Sequence, residues 1–167
     1  MVQIVAVLTS IAFGGVILVV LGLIFFGGGG TTLADQQLND AKALVEEQPK
    51  SADAWEQLAS GYAGTEDFEQ AKTAAERAVA LDPRDFSRLQ TLVSLQVRTN
   101  DTSGAIDTVQ AYTARNPKNA QAFLQLAQLA EQAGRNPLAR LSYQAFLQLA
   151  PEDPNADAIR DKLKTLN

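Results

Sequence analysis

The sequence predicts an all-α architecture, a solenoid of helix–turn–helix repeats behind one N-terminal transmembrane helix. Three observations carry this. Pro49, Pro83, Pro117 and Pro151 recur at a spacing of 34 residues, and a fixed period of that size marks a stacked array of supersecondary units. Between the prolines, apolar residues fall at helical rather than alternating spacing. Ahead of them, Ile4 to Phe26 forms an apolar run of 23 residues.

Residues 1–26 are expected to cross a membrane. The first charged side chain in the chain is Asp35. At helical rise the run reaches about 34 Å, enough for a hydrocarbon core of about 30 Å with some tilt. Its Leu, Ile, Val and Phe residues favour insertion by roughly 5 to 10 kcal/mol. A cleaved signal peptide fits less well. No Lys or Arg precedes the run, the run exceeds a usual signal h-region, and no A-x-A-like site follows it. Ala6, Ser10 and Gly14 recur every four residues, and Gly22 continues the stripe. Small side chains on one face let membrane helices approach closely, so these four form the candidate transmembrane packing face. Residues 27–32, four glycines and two threonines, make a flexible tether of about 14 Å. The near side then offers Asp35, Asp40, Glu46 and Glu47 against Lys42 and Lys50. That small asymmetry favours the repeats on the extracytoplasmic side.

Residues 33–50 read as an amphipathic helix, with Leu38, Ala41, Leu44 and Val45 at helical spacing. It stops one residue before Pro49, as the restriction on pre-proline residues requires. It sits where a second helix belongs and so forms a half repeat. Residues 51–153 hold three full repeats, Ala52–Asp85, Phe86–Asn119 and Ala120–Asp153. In the first, Ser51 caps a helix to about Ala63, Gly64-Thr65 breaks it, and Phe68 to Leu81 forms its partner. Leu89, Leu92, Val93, Ala105, Val109 and Tyr112 are the expected core of the second. In the third, Phe123, Leu126 and Ala127 mark the first helix. Asn136-Pro137 read as N-cap and first helical residue of the second, and Ala139, Tyr143 and Phe146 face its core. Residues 154–167 form a capping helix. Its apolar side is Ala158, Ile159, Leu163 and Leu166, and its charges solvate the open end.

Trp55, Leu58, Ala59 and Tyr62 follow a W-x2-L-G-x2-Y pattern with alanine in place of glycine, Ala71 is the small helix-crossing residue, and Leu81-Asp82-Pro83 closes the unit. On these residues the chain resembles the tetratricopeptide repeat family over Leu33–Asn167, and its anchored design is similar to single-pass bacterial members. Repeats two and three depart from the pattern, with Gln96 and Ala130 for the tyrosine and Val93 and Ala127 for the small glycine.

The resemblance implies binding rather than chemistry. In this family the first helices line a groove that receives an extended peptide or a partner helix. Those positions fall on Asp53, Glu56 and Ser60 in repeat one. In repeat two they fall on Ser87, Gln90, Ser94, Val97 and Arg98, and in repeat three on Gln121, Leu124, Gln128, Glu131 and Gln132. The surface is mostly amide and hydroxyl, with Val97 and Leu124 as apolar anchors. One subset of the family clamps chaperone C-termini with Lys and Asn. The equivalent places here hold Glu56, Ser60, Gln90 and Ser94, so that specialisation is not expected. Phe86, which begins a repeat, is the aromatic expected to meet a partner.

Composition removes other classes. The chain has no Cys and no His, which takes away thiol chemistry, the usual zinc and haem ligands, and Ser–His–Asp or Cys–His catalysis. A net charge of -5 without a basic stripe argues against nucleic acid. Gly27–Gly30 lack the Lys-Ser/Thr of a phosphate loop. The expectation is therefore a non-enzyme with no cofactor, no metal and no small-molecule substrate. It would be a membrane-anchored scaffold, assembly factor or accessory subunit of a membrane complex that docks protein segments. Two alternatives remain. One is a periplasmic holder of unfolded clients of the kind that assists cytochrome c maturation. The other is a structural subunit bound mainly through its transmembrane helix.

Overall fold

The computed structural model describes residues 32–166. The expected membrane segment 1–26, its packing face Ala6, Ser10, Gly14 and Gly22, and tether residues 27–31 lie outside the described residues. Among the described residues no helix is long and apolar enough to cross a membrane.

Eight helices are described. They are α1 (Leu33–Glu47), α2 (Ala52–Gly64), α3 (Phe68–Leu81), α4 (Phe86–Arg98), α5 (Thr102–Arg115), α6 (Ala120–Gln132), α7 (Asn136–Leu149) and α8 (Ala156–Thr165). The chain divides into two units, Met1–Gln36 and Gln37–Asn167. In the first, Thr32 and Asp35 form a reciprocal cap at the start of α1. The Thr32 N–H donates to Asp35 Oδ2 at 2.9 Å, and the Asp35 N–H donates to Thr32 Oγ1 at 3.1 Å.

The second unit repeats its backbone chemistry at the period of the prolines. Ser51, Asp85 and Asn119 are the N-caps of α2, α4 and α6, and each side chain accepts from an N–H of the first turn. Between first and second helices, Glu66, Asn100 and Gly134 all take positive φ, at 63°, 60° and 69°. Each is followed by an N–H that reaches back across the turn, Asp67 to Tyr62 O, Asp101 to Gln96 O and Arg135 to Ala130 O. This register corrects the expected start of α7. Its N-cap is Arg135, which makes no side-chain cap, so Asn136 is already helical and Pro137 follows inside the first turn. The repeat frame, not the local Asn-Pro signal, sets the boundary.

The core is serial rather than central. One cluster joins Ala41 of α1 to Leu58 and Ala59 of α2 and to Ala71, Ala74 and Ala75 of α3, and ends on Leu92 and Leu95 of α4. The next joins α4, α5 and α6 through Leu89, Val93, Ile106, Val109, Tyr112 and Leu126. The third joins α6, α7 and α8 through Ala127, Ala130, Tyr143, Phe146 and Ile159. Ala71, Ala105 and Ala139, at equivalent places in the second helices, are all fully buried. The half repeat docks closely. A Cβ added at Gly61 would lie 3.0 Å from the Leu38 Cα, so even an alanine there would press on the backbone of α1 where it crosses α2.

The departures from consensus resolve into a volume exchange. In repeat one the bulk comes from α2 (Trp55, Tyr62) and packs on the alanines of α3. In repeat three α6 keeps an aromatic, Phe123, but carries Ala130 at the tyrosine position, and α7 adds Tyr143 and Phe146 where α3 has Ala75 and Ala78. Shrinking one face while enlarging the facing one conserves core volume, which cores tolerate best. In repeat two, buried Gln96 takes the tyrosine position and its Nε2 donates to Thr108 Oγ1 at 3.0 Å.

A further expectation is corrected. Ala158 is exposed, and the buried face of α8 is Ala156 and Ile159, with Leu166 just beyond its end. Phe86 is half-buried against the second cluster, its ring centroid 5.4 Å from that of Tyr112. The pair joins the first and second helices of the second repeat, and the ring keeps part of its surface exposed.

Phe146 is fully buried, whereas Trp55 is half-buried with its Nε1–H donated to Pro49 O at 2.9 Å. Phe146→Ala should therefore cost about 3 to 5 kcal/mol in a urea unfolding series, and Trp55→Ala clearly less. Equal losses would mean that the two repeats do not differ in where their bulk is buried.

Candidate partner-binding trough

The first helices α2 and α4 enclose an open trough of about 550 Å³. Its floor is Ala59, Ala63, Phe68 and Leu95, and its walls carry Ser60, Ser87, Gln90, Thr91, Ser94 and Arg98. Each of the α4 residues lies three or four positions from another of the set, so they form one stripe along the helix. Among the described residues nothing engages the side chains of Ser60, Gln90 or Ser94. Their donors and acceptors are open to a ligand. Arg98 is exposed, and its guanidinium carbon stands 4.0 Å from the Phe68 ring centroid. A second trough of about 570 Å³ adjoins the first, between α1 and α2. Gln37, Asp40, Ala41, Leu44, Gln57 and Gly61 line it, and Ser60 belongs to both.

The expected groove residues thus separate. Ser60, Ser87, Gln90, Ser94 and Arg98 come together in the α2–α4 trough. Val97 is exposed on α4 but does not line it. Gln121 lies in a separate cleft beside Tyr112, Asn116 and Lys118. Gln128 and Gln132 are exposed on α6, away from the trough. Leu124 is half-buried, packs on the third cluster and does not line the trough.

Asp53 and Glu56 are engaged by a residue that sequence reasoning passed over. Arg88 on α4 binds both carboxylates of α2 through its two terminal nitrogens, and its Nε lies 3.5 Å from Asp85 and 3.8 Å from Asp82. Four carboxylates therefore surround one guanidinium that is nearly buried. The bond to Asp53 and the neighbouring carboxylates hold Arg88 more firmly protonated than an ordinary arginine, against the opposing effect of burial. The signal was the spacing. An arginine about one period beyond an acidic pair on a first helix can reach that pair across the repeat interface.

Glu131 has a similar fate at the other end. Its Oε2 accepts from the Tyr143 hydroxyl at 2.7 Å, and both its oxygens accept from Lys162 Nζ, at 3.0 and 2.9 Å. Arg140 Nη1 donates to Leu166 O at 2.7 Å. Together these bonds clasp α8 onto α6 and α7. The Tyr143 hydroxyl first, and then Lys162, hold the Glu131 carboxyl below its ordinary value. Burial, with the adjacent Glu131 carboxylate, pushes the Tyr143 phenol up.

Comparison with known proteins agrees with the geometry. Tetratricopeptide repeat models match residues 52–85 and 91–154. No curated protein sequence matches the chain. Among solved structures, MamA is 18% identical, with a TM-score of 0.59 over 81% of this chain and 90% of its own. YrrB, described as a tetratricopeptide repeat protein with an unusual peptide-binding site, is 17% identical, with a TM-score of 0.60 over 79% of this chain and 68% of its own. The first repeat domain of Spaghetti, bound to the HSP90 peptide SRMEEVD, is 16% identical, with a TM-score of 0.55 over 69% of this chain and 91% of its own. At these identities the likeness is one of fold.

The clasp has a pH signature. A folded carboxyl below its ordinary value binds a proton less readily than the unfolded one. Its contribution is complete above the ordinary value of 4.5 and is lost as pH falls through the lower folded value. Glu131→Gln should cost about 1 to 2 kcal/mol at pH 7. The gap to the parent protein should narrow in urea titrations as pH falls below 4.5 and close once the folded carboxyl is protonated. A gap that stays constant to pH 3 would show that the clasp does not depend on the ionised carboxylate.

Proposed function

We propose that this chain, which belongs to the tetratricopeptide repeat family, is a non-enzymatic protein-interaction module that docks an extended segment of a partner protein in the α2–α4 trough. One observation carries the reading. The trough combines an apolar floor with hydroxyl and amide groups that are not used within the described fold. An extended segment brings unpaired backbone N–H and C=O groups that such side chains can satisfy. A partner helix satisfies its own backbone and would reach Ser60, Gln90 and Ser94 through side chains alone.

The apolar run Ile4–Phe26 supports a second element, a membrane tether. Tethering confines the trough to the bilayer surface and raises the effective concentration of any partner held there. The chain then acts as a scaffold, assembly factor or accessory subunit of a membrane complex, with its repeats on the extracytoplasmic side. The full chain should stay in the membrane pellet after an alkaline carbonate wash, and its release into the supernatant would remove the tether.

Ser94→Trp places an indole in the trough from an exposed helix position. Full chain extracted in mild detergent should bring down stoichiometric partners, read by native sizing and mass spectrometry. Ser94→Trp should reduce that recovery at least about tenfold while leaving the circular-dichroism melt unchanged. Undiminished recovery that vanishes on deletion of residues 1–26 would place the binding in the membrane helix instead.

A further inference from the structure

We infer that the α2–α4 trough selects a partner segment carrying a single isolated carboxylate side chain, with Arg98 as its counter-ion. This rests on the reading of the trough as a docking surface. Arg98 is the one ionised residue among those lining it. Arg88, one helix face away, already has four carboxylates around it. Among the described residues Arg98 has only the Phe68 ring, 4.0 Å from its guanidinium carbon. An arginine resting on an aromatic face gives up rotamer freedom before any ligand arrives, and its charge is left without a carboxylate partner. A guanidinium fork matches a carboxylate bidentately.

The position sets the register of the ligand. Ser87, Gln90, Ser94 and Arg98 follow one stripe down α4, and Arg98 stands in its last turn, where a cation also meets the negative end of the helix dipole. From Ser87 to Arg98 the stripe rises about 16 Å, the span of roughly five extended residues. The opposite end of α4 is the Arg88 cluster, where Asp53, Glu56, Asp82 and Asp85 outnumber the guanidinium. The stripe is thus basic at one end and acidic at the other. An acidic tract running its full length would meet that excess and a chain of net charge -5. One carboxylate, placed at the Arg98 end and followed by neutral residues, avoids the acidic end and lies against the one cation of the trough. A phosphorylated residue carries more charge than one guanidinium neutralises.

The test uses full chain in mild detergent and three nonapeptide pools, N-acetylated, C-amidated and labelled with a neutral fluorophore. The central residue is Glu, Gln or Lys, and the flanks are randomised among Ser, Thr, Asn and Leu. Fluorescence anisotropy should show the Glu pool binding about tenfold tighter than the Gln pool, and the Lys pool weakest. Arg98→Gln should erase the preference for Glu over Gln, Arg98→Lys should keep part of it, and Ser94→Trp should abolish binding of all pools. Equal binding of the Glu and Gln pools, both lost in Ser94→Trp, would overturn the carboxylate preference and leave the docking reading standing. Binding unaffected by Ser94→Trp, or an absence of binding by every pool, would overturn the docking reading and this inference with it.

Discussion

The close approach of paired helices at Ala71, Ala105 and Ala139 is the contact on which the rest of the array depends. Each of these residues is fully buried in a second helix. A larger side chain there would hold the helices apart and open every contact further out. Because the positions recur one repeat apart, the same crossing is made three times. The three clusters, the caps and the turns then fall into one frame. No central core is needed, since each pair buries its apolar face against its neighbours.

Within that frame the protein varies volume freely. Repeat one sets Tyr62 of its first helix against Ala75 and Ala78 of the second, and repeat three sets Ala130 of its first helix against Tyr143 and Phe146 of the second. The contact surface survives because the facing helix supplies alanine in each case. This exchange also has a consequence for the outer surfaces. Where the first helix is bulky and the second is built of alanines, Phe68 stands half-buried at the edge of the pair and becomes the floor on which Arg98 rests. The trough is thus a product of the same packing that stabilises the repeat.

Charge serves two roles in this structure. Arg88 and Lys162 tie a helix to the first helix of the repeat before it, through Asp53 and Glu56 in one case and Glu131 in the other. Those carboxylates are consumed by the fold. Arg98 lies on the same helix as Arg88 but one face away, against an aromatic ring instead of an acid. Under the proposed function, that separation divides the residues that hold the array together from the residues left to meet a partner.

The sequence by itself determined the repeat period, the pairing of helices, the N-cap Ser51 and most of the core. These follow from local rules: proline placement, helical spacing of apolar residues and the short side chains that cap helix ends. It also made the candidate groove legible as a set of first-helix positions, of which Ser60, Ser87, Gln90, Ser94 and Arg98 do share one trough. Tertiary structure alone decided the rest. Glu131, Asp53 and Glu56 look free on a helical wheel, yet residues about thirty positions away bind them. Leu124 looks like a groove anchor, but α7 and α8 complete a cluster that half-buries it. Asn136 looks like a cap, but the frame of the preceding turns moves the N-cap to Arg135 and makes Asn136 the first helical residue. The physical reason is the same in each case. Helix faces are set by local periodicity, while the partner that covers a face comes from the next repeat, and the angle at which it arrives depends on packed volumes that no single segment contains.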